Sequence, residues 1–237
     1  ASRALATSLY GFVQSERMDR QVAARKGRRI LRKKLSRSIF GDDRIYLRAQ
    51  RRIKPATAIH VLLDRSPSMS ASVATPTHAT RRRIDLAWEA TLALALALES
   101  IPGVNTAITA FPGSKGLDER VYEVMAHGER LSECTDRLDI GTDGSTPLSE
   151  ALLYGVSRLL MTQEPRKILL VLTDGIPNDP QEVHKILRQC ADIGVEVYGI
   201  GLDIDIHHLF EMSMNIQTLQ ELQPRLFEWS KSLFTVP

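Results

Sequence analysis

The apolar positions after residue 55 follow two periods, and the chain changes from one to the other several times. Short, nearly continuous apolar runs predict four buried strands, at 58–64, 104–111, 167–174 and 195–202. Longer segments with apolar positions at helical spacing predict three helices, at 81–100, 147–162 and 180–194. Strands that alternate with helices form a mostly parallel sheet with helices on both faces. The pattern therefore predicts an α/β fold.

Three weaker elements complete this region. Residues 121–127 predict another strand, paired with 104–111, and the end of the chain predicts a short helix near 205–212 and a final helix near 218–234. Gly194 follows the helix at 180–194, as glycine often does at a helix end.

Residues 1–54 have a different character. Leu5, Leu9, Phe12 and Val13 have helical spacing and predict a helix within 3–23, whereas 44–52 (RIYLRAQRR) reads as an extended segment. Pro55 marks the predicted boundary. We therefore expect a basic, mainly helical extension at 1–54 and one domain at 55–237.

Charge separates the same two regions. Residues 1–54 contain 16 Lys and Arg but 4 Asp and Glu, whereas the other residues contain 15 and 24. The densest run holds eight basic side chains: Arg25, Lys26, Arg28, Arg29, Arg32, Lys33, Lys34 and Arg37. Such an arm favours docking to an acidic partner or packing on the domain. Binding to nucleic acid is the alternative, although the run lacks interleaved aromatic residues that would stack on bases.

Polar side chains follow the predicted strands at the edge where parallel sheets bind ligands. Asp64, Ser66 and Ser68 come at alternate positions after the first strand, Thr146 lies in a glycine-rich loop, and Asp174 ends another strand. Alternate positions of an extended segment project to one side. Hydroxyl and carboxylate oxygens are ligands that Mg²⁺ prefers. The five side chains thus predict a magnesium site, although turn and helix-cap chemistry also explains the first triplet taken alone.

Other chemistry is less well supported by the sequence. There is no phosphate-binding G-x-x-x-x-G-K-[ST] motif, which argues against nucleotide hydrolysis by this chain. Asp203 and Asp205 resemble paired acids of metal-dependent nucleic-acid enzymes, but a loop with a helix cap explains them more simply. Two cysteines fit a reducing compartment, and no apolar run reaches membrane-spanning length, so we expect a cytoplasmic protein without membrane contact.

Three segments resemble a known family. DRSPSMS, GSTPLSEAL and LLVLTDGIPND are similar to the motifs of the metal-ion-dependent adhesion site in von Willebrand factor A domains, whose fold is Rossmann-like. The resemblance implies that Ser66, Ser68 and Thr146 bind Mg²⁺ directly, with Mn²⁺ or Ca²⁺ as substitutes, and that Asp64 and Asp174 act through water. A partner's Asp or Glu would complete the site. Pro67 departs from the family, which usually has glycine there.

A narrower resemblance concerns the basic arm and the entry to the domain. GRR…LRKKL, GDDRIYLR and PATA are similar to the C-terminal domain of the CobT-like family of cobaltochelatase subunits. This likeness implies a non-ATPase subunit of a metal-chelatase complex driven by an AAA+ partner, in cobalamin biosynthesis. An adaptor of another, MoxR-type AAA+ machine is the alternative within the same class. Whether such a subunit counts as an enzyme stays open, because the sequence contains no evident catalytic group.

Overall fold

A computed structural model describes two units of the chain, the smaller at Ser15–Lys54 and the larger including Pro55–Pro237. The described residues are 19–24, 26, 29–30, 46–51, 57–74, 80–113, 120–138, 141–174, 177–218, 221 and 224–225.

The smaller unit contains a three-stranded antiparallel sheet. Its strands are β1 (Asp19–Ala24), β2 (Arg29–Ile30) and β3 (Tyr46–Arg51), in the order β1-β3-β2. The predicted extended segment at 44–52 is thus confirmed over 46–51, but the helical interpretation is wrong at 19–23 and 29–30. Backbone pairing with β3 determines the conformation there. The four apolar positions that predicted the helix precede Asp19 and lie outside the described residues.

The larger unit is built on a six-stranded sheet. Its strands are β4 (Thr57–Asp64), β7 (Val104–Phe111), β8 (Tyr122–Met125), β9 (Arg166–Thr173), β10 (Val195–Leu202) and β11 (Ser213–Ile216). Their order is β11-β10-β9-β4-β7-β8, and all neighbours are parallel except β8, which runs antiparallel to β7. This sheet confirms the predicted mostly parallel α/β architecture.

Among the described residues, three helices cover the two faces of the sheet: α1 (Arg83–Glu99), α2 (Leu148–Leu160) and α3 (Pro180–Asp192). Ile59, Val61 and Leu63 share one core with α1, whereas Ala58 and Leu62 share the other core with α2 and α3. Alternate strand residues face opposite sides, so β4, in the middle of the sheet, contributes to both cores. All eight of its residues are buried, which explains its continuous apolar run.

Two local predictions differ from the structure. A short hairpin, β5 (Ser72–Ala74) and β6 (Thr80–Arg82), precedes α1, so that helix begins at Arg83 rather than at 81. Residues 203–212 form turns instead of the predicted helix near 205–212. Ile206, Leu209 and Phe210 are buried there, and their spacing produced the helical pattern. The predicted final helix lies mostly outside the described residues.

The sheet order places a switch point beside β4. The chain leaves β4 for β7 on one side and later returns to β9 on the other. The chain segments that leave the carboxyl ends of β4 and β9 therefore run in opposite directions along the sheet. The crevice between such segments is where α/β sheets commonly bind ligands.

Candidate functional site

Asp64 ends β4 at this edge and is completely buried. The Thr173 hydroxyl donates to its Oδ2 at 2.6 Å, and the Ser66 N–H donates to its Oδ1 at 2.8 Å. Burial raises the pKa of Asp64 to about 6, although these two hydrogen bonds act in the opposite direction. Both oxygens of the aspartate thus accept hydrogen bonds, which fix its orientation at the strand end.

Ser66 and Ser68 lie next to each other, as their spacing predicts. Their Oγ atoms are 2.9 Å apart, with Ser66 buried and Ser68 partly exposed. Pro67 is the first residue of a short 3₁₀-helix, Pro67–Ser70, in which the Met69 N–H donates to the Ser66 carbonyl. The first position of a helix needs no N–H donor, so proline fits there although the family usually has glycine. Met69 is fully buried and anchors the turn.

Thr146 precedes α2 and is buried. Its N–H donates to the Asn178 Oδ1 at 3.2 Å, and its carbonyl accepts from the Asn178 N–H at 3.2 Å. Gly155 within α2 allows the helix to approach the sheet closely, because a Cβ atom there would lie 2.7 Å from the Leu169 Cδ1. The loop after β9 and the start of α2 are thereby held together.

Asp174 follows β9 and is also completely buried. Neither of its carboxylate oxygens accepts a hydrogen bond from the described residues. A cationic group lies near it: the Arg83 Nη1 is 3.7 Å from Oδ2, and the Nη2 of the same guanidinium is 4.0 Å from the Asp203 Oδ2. These distances are too long for hydrogen bonds but short enough for electrostatic attraction.

Hydrogen bonds connect the segment after β4, the loop before α2 and the segment after β9 to one another. The Thr173 hydroxyl at the end of β9 donates to Asp64 at the end of β4, and Asn178 after β9 accepts the N–H of Thr146 before α2. The loop before α2 joins the segment after β4, because the Asp143 N–H donates to the Arg65 carbonyl at 3.0 Å. The five predicted site residues therefore lie at the end of β4 and on the loops that follow it, precede α2 and follow β9, and these segments are tied to one another at a single edge of the sheet.

This donor set suits a hard divalent cation. It combines two buried carboxylates with hydroxyl groups, and the carboxylate of Asp174 has no hydrogen-bond donor among the described residues. Among the described residues, no group of three or more His, Cys, Asp or Glu side chains could hold a metal ion.

Sequence reasoning missed three residues of this region. Arg83 lies near Asp174, Asn178 orients the Thr146 backbone, and Arg65 accepts the Asp143 N–H through its carbonyl. Asp143 also accepts the Gly144 N–H at 2.8 Å, so its carboxylate is engaged locally. Asn178 had a readable clue, since it stands within the LLVLTDGIPND segment. Arg83 had none, because it resembled an ordinary helix-terminal arginine.

Asp203 and Asp205 lie on the turn after β10 and have different environments. The Asp205 Oδ1 accepts the His207 N–H at 2.9 Å, which is turn-capping chemistry. Asp203 has a φ of 59°, accepts the Gln217 side-chain N–H at 3.0 Å and faces Arg83. Asp205 therefore caps the turn, and Asp203 provides a negative charge near the Arg83 guanidinium.

Of the eight basic residues at 25–37, the structure describes two. Lys26 is an exposed bend residue, and Arg29 lies in β2. Arg25, Arg28, Arg32, Lys33, Lys34 and Arg37 lie outside the described residues. Their predicted docking role therefore stays a prediction.

A family profile decides the classification. The profile of the von Willebrand factor type A domain matches residues 59–223, which include all five predicted metal-site residues. The chain belongs to the von Willebrand factor type A domain family. Domains of this family typically mediate protein–protein interactions and commonly bind a divalent metal ion. No curated protein matches the sequence.

Solved structures share the fold of this A-type domain at low sequence identity. A D319A mutant of the PilB minor pilin from Streptococcus sanguinis is 13% identical, with a TM-score of 0.58 over 77% of this chain and 64% of the pilin chain. The von Willebrand domain of the pilus tip protein Mfa5 from Porphyromonas gingivalis is 8% identical, with a TM-score of 0.54 over 77% and 96%.

Manganese-loaded TRAP from Plasmodium vivax is 16% identical, with a TM-score of 0.51 over 74% of this chain and 73% of that one. At these identities the likeness concerns the fold alone. Among the helices that the structure describes in the A-type domain, none combines the length and apolar character needed to cross a bilayer.

Proposed function

We propose that this A-type domain is a Mg²⁺-dependent protein-interaction module. Ser66, Ser68 and Thr146 would bind the ion directly, and Asp64 and Asp174 would act mainly through water. The observation that carries the proposal is Asp174, a buried carboxylate without a hydrogen-bond donor from the described residues, on a loop tied to the other two. Mn²⁺ or Ca²⁺ would substitute for Mg²⁺, and the manganese-loaded TRAP structure supports the first substitution.

The ion would supply positive charge at the surface of the sheet edge. Neutral hydroxyl ligands leave most of that charge uncompensated, so an Asp or Glu of a partner can bind it strongly in a partly desolvated site. The chain's own residues orient the donors: Thr173 and the Ser66 N–H hold Asp64, and Asn178 holds the Thr146 backbone. The site is therefore one for binding rather than for catalysis.

The partner we propose is an AAA+ ATPase subunit, with this chain as the CobT-like subunit of a cytoplasmic, cobaltochelatase-type complex. The support is the likeness of the basic arm and of the entry to β4, read from the sequence. A MoxR-type AAA+ machine is the other partner of the same class. In both cases the partner would hydrolyse ATP, because this sequence lacks a phosphate-binding G-x-x-x-x-G-K-[ST] motif.

Affinity capture from native lysate tests the interaction. The full chain is immobilised in Mg²⁺ and in EDTA, beside Asp64→Ala and a control variant, Asp192→Ala, at the exposed end of α3. We expect an AAA+ ATPase with the wild type and Asp192→Ala in Mg²⁺, and none with EDTA or Asp64→Ala. The same bound proteins under all four conditions would contradict metal-dependent docking.

Nucleic-acid binding by the basic arm is the second candidate, favoured by the 16 Lys and Arg within residues 1–54. Contacts to phosphates release counterions, so such binding weakens steeply as salt increases. Electrophoretic mobility shifts at several salt concentrations, with the wild type and Asp64→Ala, distinguish the candidates. Salt-sensitive binding that is equal in both proteins would assign that interaction to the arm.

A further inference from the structure

A second polar cleft lies at the opposite end of the sheet from the proposed metal site. Asn105 near the start of β7, His127 after β8, and Glu164 before β9 line it, together with Arg158 of α2 and the exposed Met161. Its volume is about 390 Å³, which is within the range that accommodates a small ligand group. We refer to it as the Glu164 cleft.

Glu164 is an acid with an unsatisfied oxygen. The residue is 6% exposed, its Oε1 accepts the Asn105 Nδ2–H at 3.1 Å, and its Oε2 is buried with no partner among the described residues. The two nearby cations are engaged elsewhere. Arg158 donates to the Glu123 carboxylate at 2.6 Å, and the Lys167 Nζ donates to the main-chain carbonyl of Glu164 at 2.6 Å.

Hydrogen bonding around Asn105 fixes the proton on His127. The Asn105 Oδ1 accepts the Gly128 N–H at 3.0 Å, and its Nδ2 donates to Glu164, so the orientation of the amide is determined. The His127 Nδ1, 3.2 Å from the same Oδ1, must therefore be the protonated nitrogen. Burial lowers the pKa of His127, which favours the neutral ring. Its Nε2 is then a bare acceptor, buried and unpartnered among the described residues.

We propose that the Glu164 cleft binds an alkylguanidinium group. Glu164 and His127 both line the cleft, and the Glu164 Oε2 and the His127 Nε2 have no hydrogen-bond partner among the described residues. A planar guanidinium offers five N–H donors in a fixed fork. The bond to the carboxylate is charge-assisted. Met161, 77% exposed, provides an apolar surface for the aliphatic stem. The group is the side chain of an arginine in a partner or the end of a free alkylguanidine.

Nuclear magnetic resonance of the ¹⁵N-labelled full chain tests the proposal. The His127 Nε2 resonance is followed while ethylguanidinium, ethylammonium or a short arginine-containing peptide is added to millimolar concentration. We expect a saturable shift, with guanidinium bound more tightly than ammonium. Tighter binding of the peptide than of ethylguanidinium would identify an arginine side chain as the ligand, and the reverse order would identify a free alkylguanidine. No shift with any probe would overturn the proposal on the wild-type protein alone.

Two variants complete the test. Glu164→Gln keeps the size of the side chain and the acceptor for Asn105 but removes the charge, so affinity should fall about tenfold or more. Glu182→Gln, on the exposed surface of α3, should bind like the wild type. Equal affinity in Glu164→Gln would also overturn the proposal. The test is independent of the metal site, because it requires neither Mg²⁺ nor a protein partner.

Discussion

At the scale of single residues, Arg83 and Asp174 form the least conventional contact of the candidate metal site. The guanidinium lies 3.7 Å from a buried carboxylate and is itself 19% exposed. A cation at that distance partly neutralises Asp174 and repels a divalent ion. Arg83 is therefore expected to oppose metal binding while supporting the metal-free fold.

Replacing Arg83 by methionine should have two opposite effects. Without metal, Asp174 loses its neighbouring charge, and the free energy of unfolding should decrease by on the order of 1–3 kcal/mol. Metal affinity should increase about tenfold, because the repulsion is removed. Urea unfolding in EDTA and a Mn²⁺ titration measure the two effects.

Arg81→Met is the matched control for that variant. Arg81 is 50% exposed and pairs with Glu89 on the surface at 2.7 Å. Its loss should alter neither metal affinity nor stability by more than about 1 kcal/mol. If Arg83→Met behaves like this control in both assays, the guanidinium has no influence on the site.

His60 gives the molecule a predictable sensitivity to acid. It is fully buried in β4, its Nε2 lies 2.9 Å from the Thr109 hydroxyl, and burial lowers its pKa from 6.5 to about 3. Between these two values the unfolded chain binds a proton that the folded chain does not. This contribution to stability is therefore complete above pH 6.5, decreases as the pH falls below it, and is lost by about pH 3.

His60→Gln keeps a hydrogen-bonding group near Thr109 but does not titrate. Between about pH 7.5 and pH 5.5, the wild type should lose about 1 kcal/mol more of its free energy of unfolding than this variant. Urea unfolding at the two pH values measures the difference. Asp64 and other titrating groups are common to both proteins and largely cancel. Identical losses would mean that the pKa of His60 is the same in the folded protein as in the unfolded chain.

The five predicted metal-site residues illustrate what a sequence reveals at this scale. Asp64, Ser66 and Ser68 were readable because they follow an apolar strand at alternate positions. Arg83 was not, because its approach to Asp174 depends on the hairpin β5–β6, which sets where α1 begins. Contacts between side chains of separate elements depend on tertiary geometry, which periodicity does not contain.

At the scale of elements, the turn after β10 depends on glycine. A Cβ atom at Gly199 would lie 2.6 Å from the Phe210 Cδ2 and 2.7 Å from the Ile206 Cδ1. Phe210 is 1% exposed, and its ring packs against the strand. The turn at 203–212 therefore packs directly on the backbone of β10.

Gly199→Ala should lower the free energy of unfolding by about 1–3 kcal/mol through this overpacking. Gly141→Ala is the control, because no atom lies within 4 Å of the added methyl group. Chemical denaturation of both variants provides the comparison. Equal stabilities would show that the turn shifts away without cost and does not pack as described.

The secondary-structure predictions were correct where the apolar positions followed a single period, either that of a strand or that of a helix. The strands and helices of the A-type domain followed from continuous apolar runs and from helical spacing. The turn at 203–212 failed because the buried Ile206, Leu209 and Phe210 imitate a helical face. The antiparallel strands at 19–24 and 29–30 failed for another reason, since their conformation comes from pairing with β3 rather than from their own pattern.

At the scale of the whole molecule, the sheet order explains why three separated segments form one candidate site. β4 lies between β7 and β9, so the segments that follow β4 and β9 lead to opposite sides of the sheet and leave a switch point between them. Helix α2 starts from the same edge. The alternation of strands and helices predicted this sheet class from sequence. The strand order and the hydrogen bonds that tie the loops required the structure.

The most direct test of the metal site is a Mn²⁺ titration followed by electron paramagnetic resonance of the free ion. We predict one saturable site per wild-type chain, with a Kd on the order of 10⁻⁴–10⁻³ M, competition by Mg²⁺, and no uptake by Asp174→Ala. Asp192→Ala should bind as the wild type does. Equal Mn²⁺ uptake by the wild type and Asp174→Ala, or none by either, would contradict a metal site at the carboxyl ends of β4 and β9.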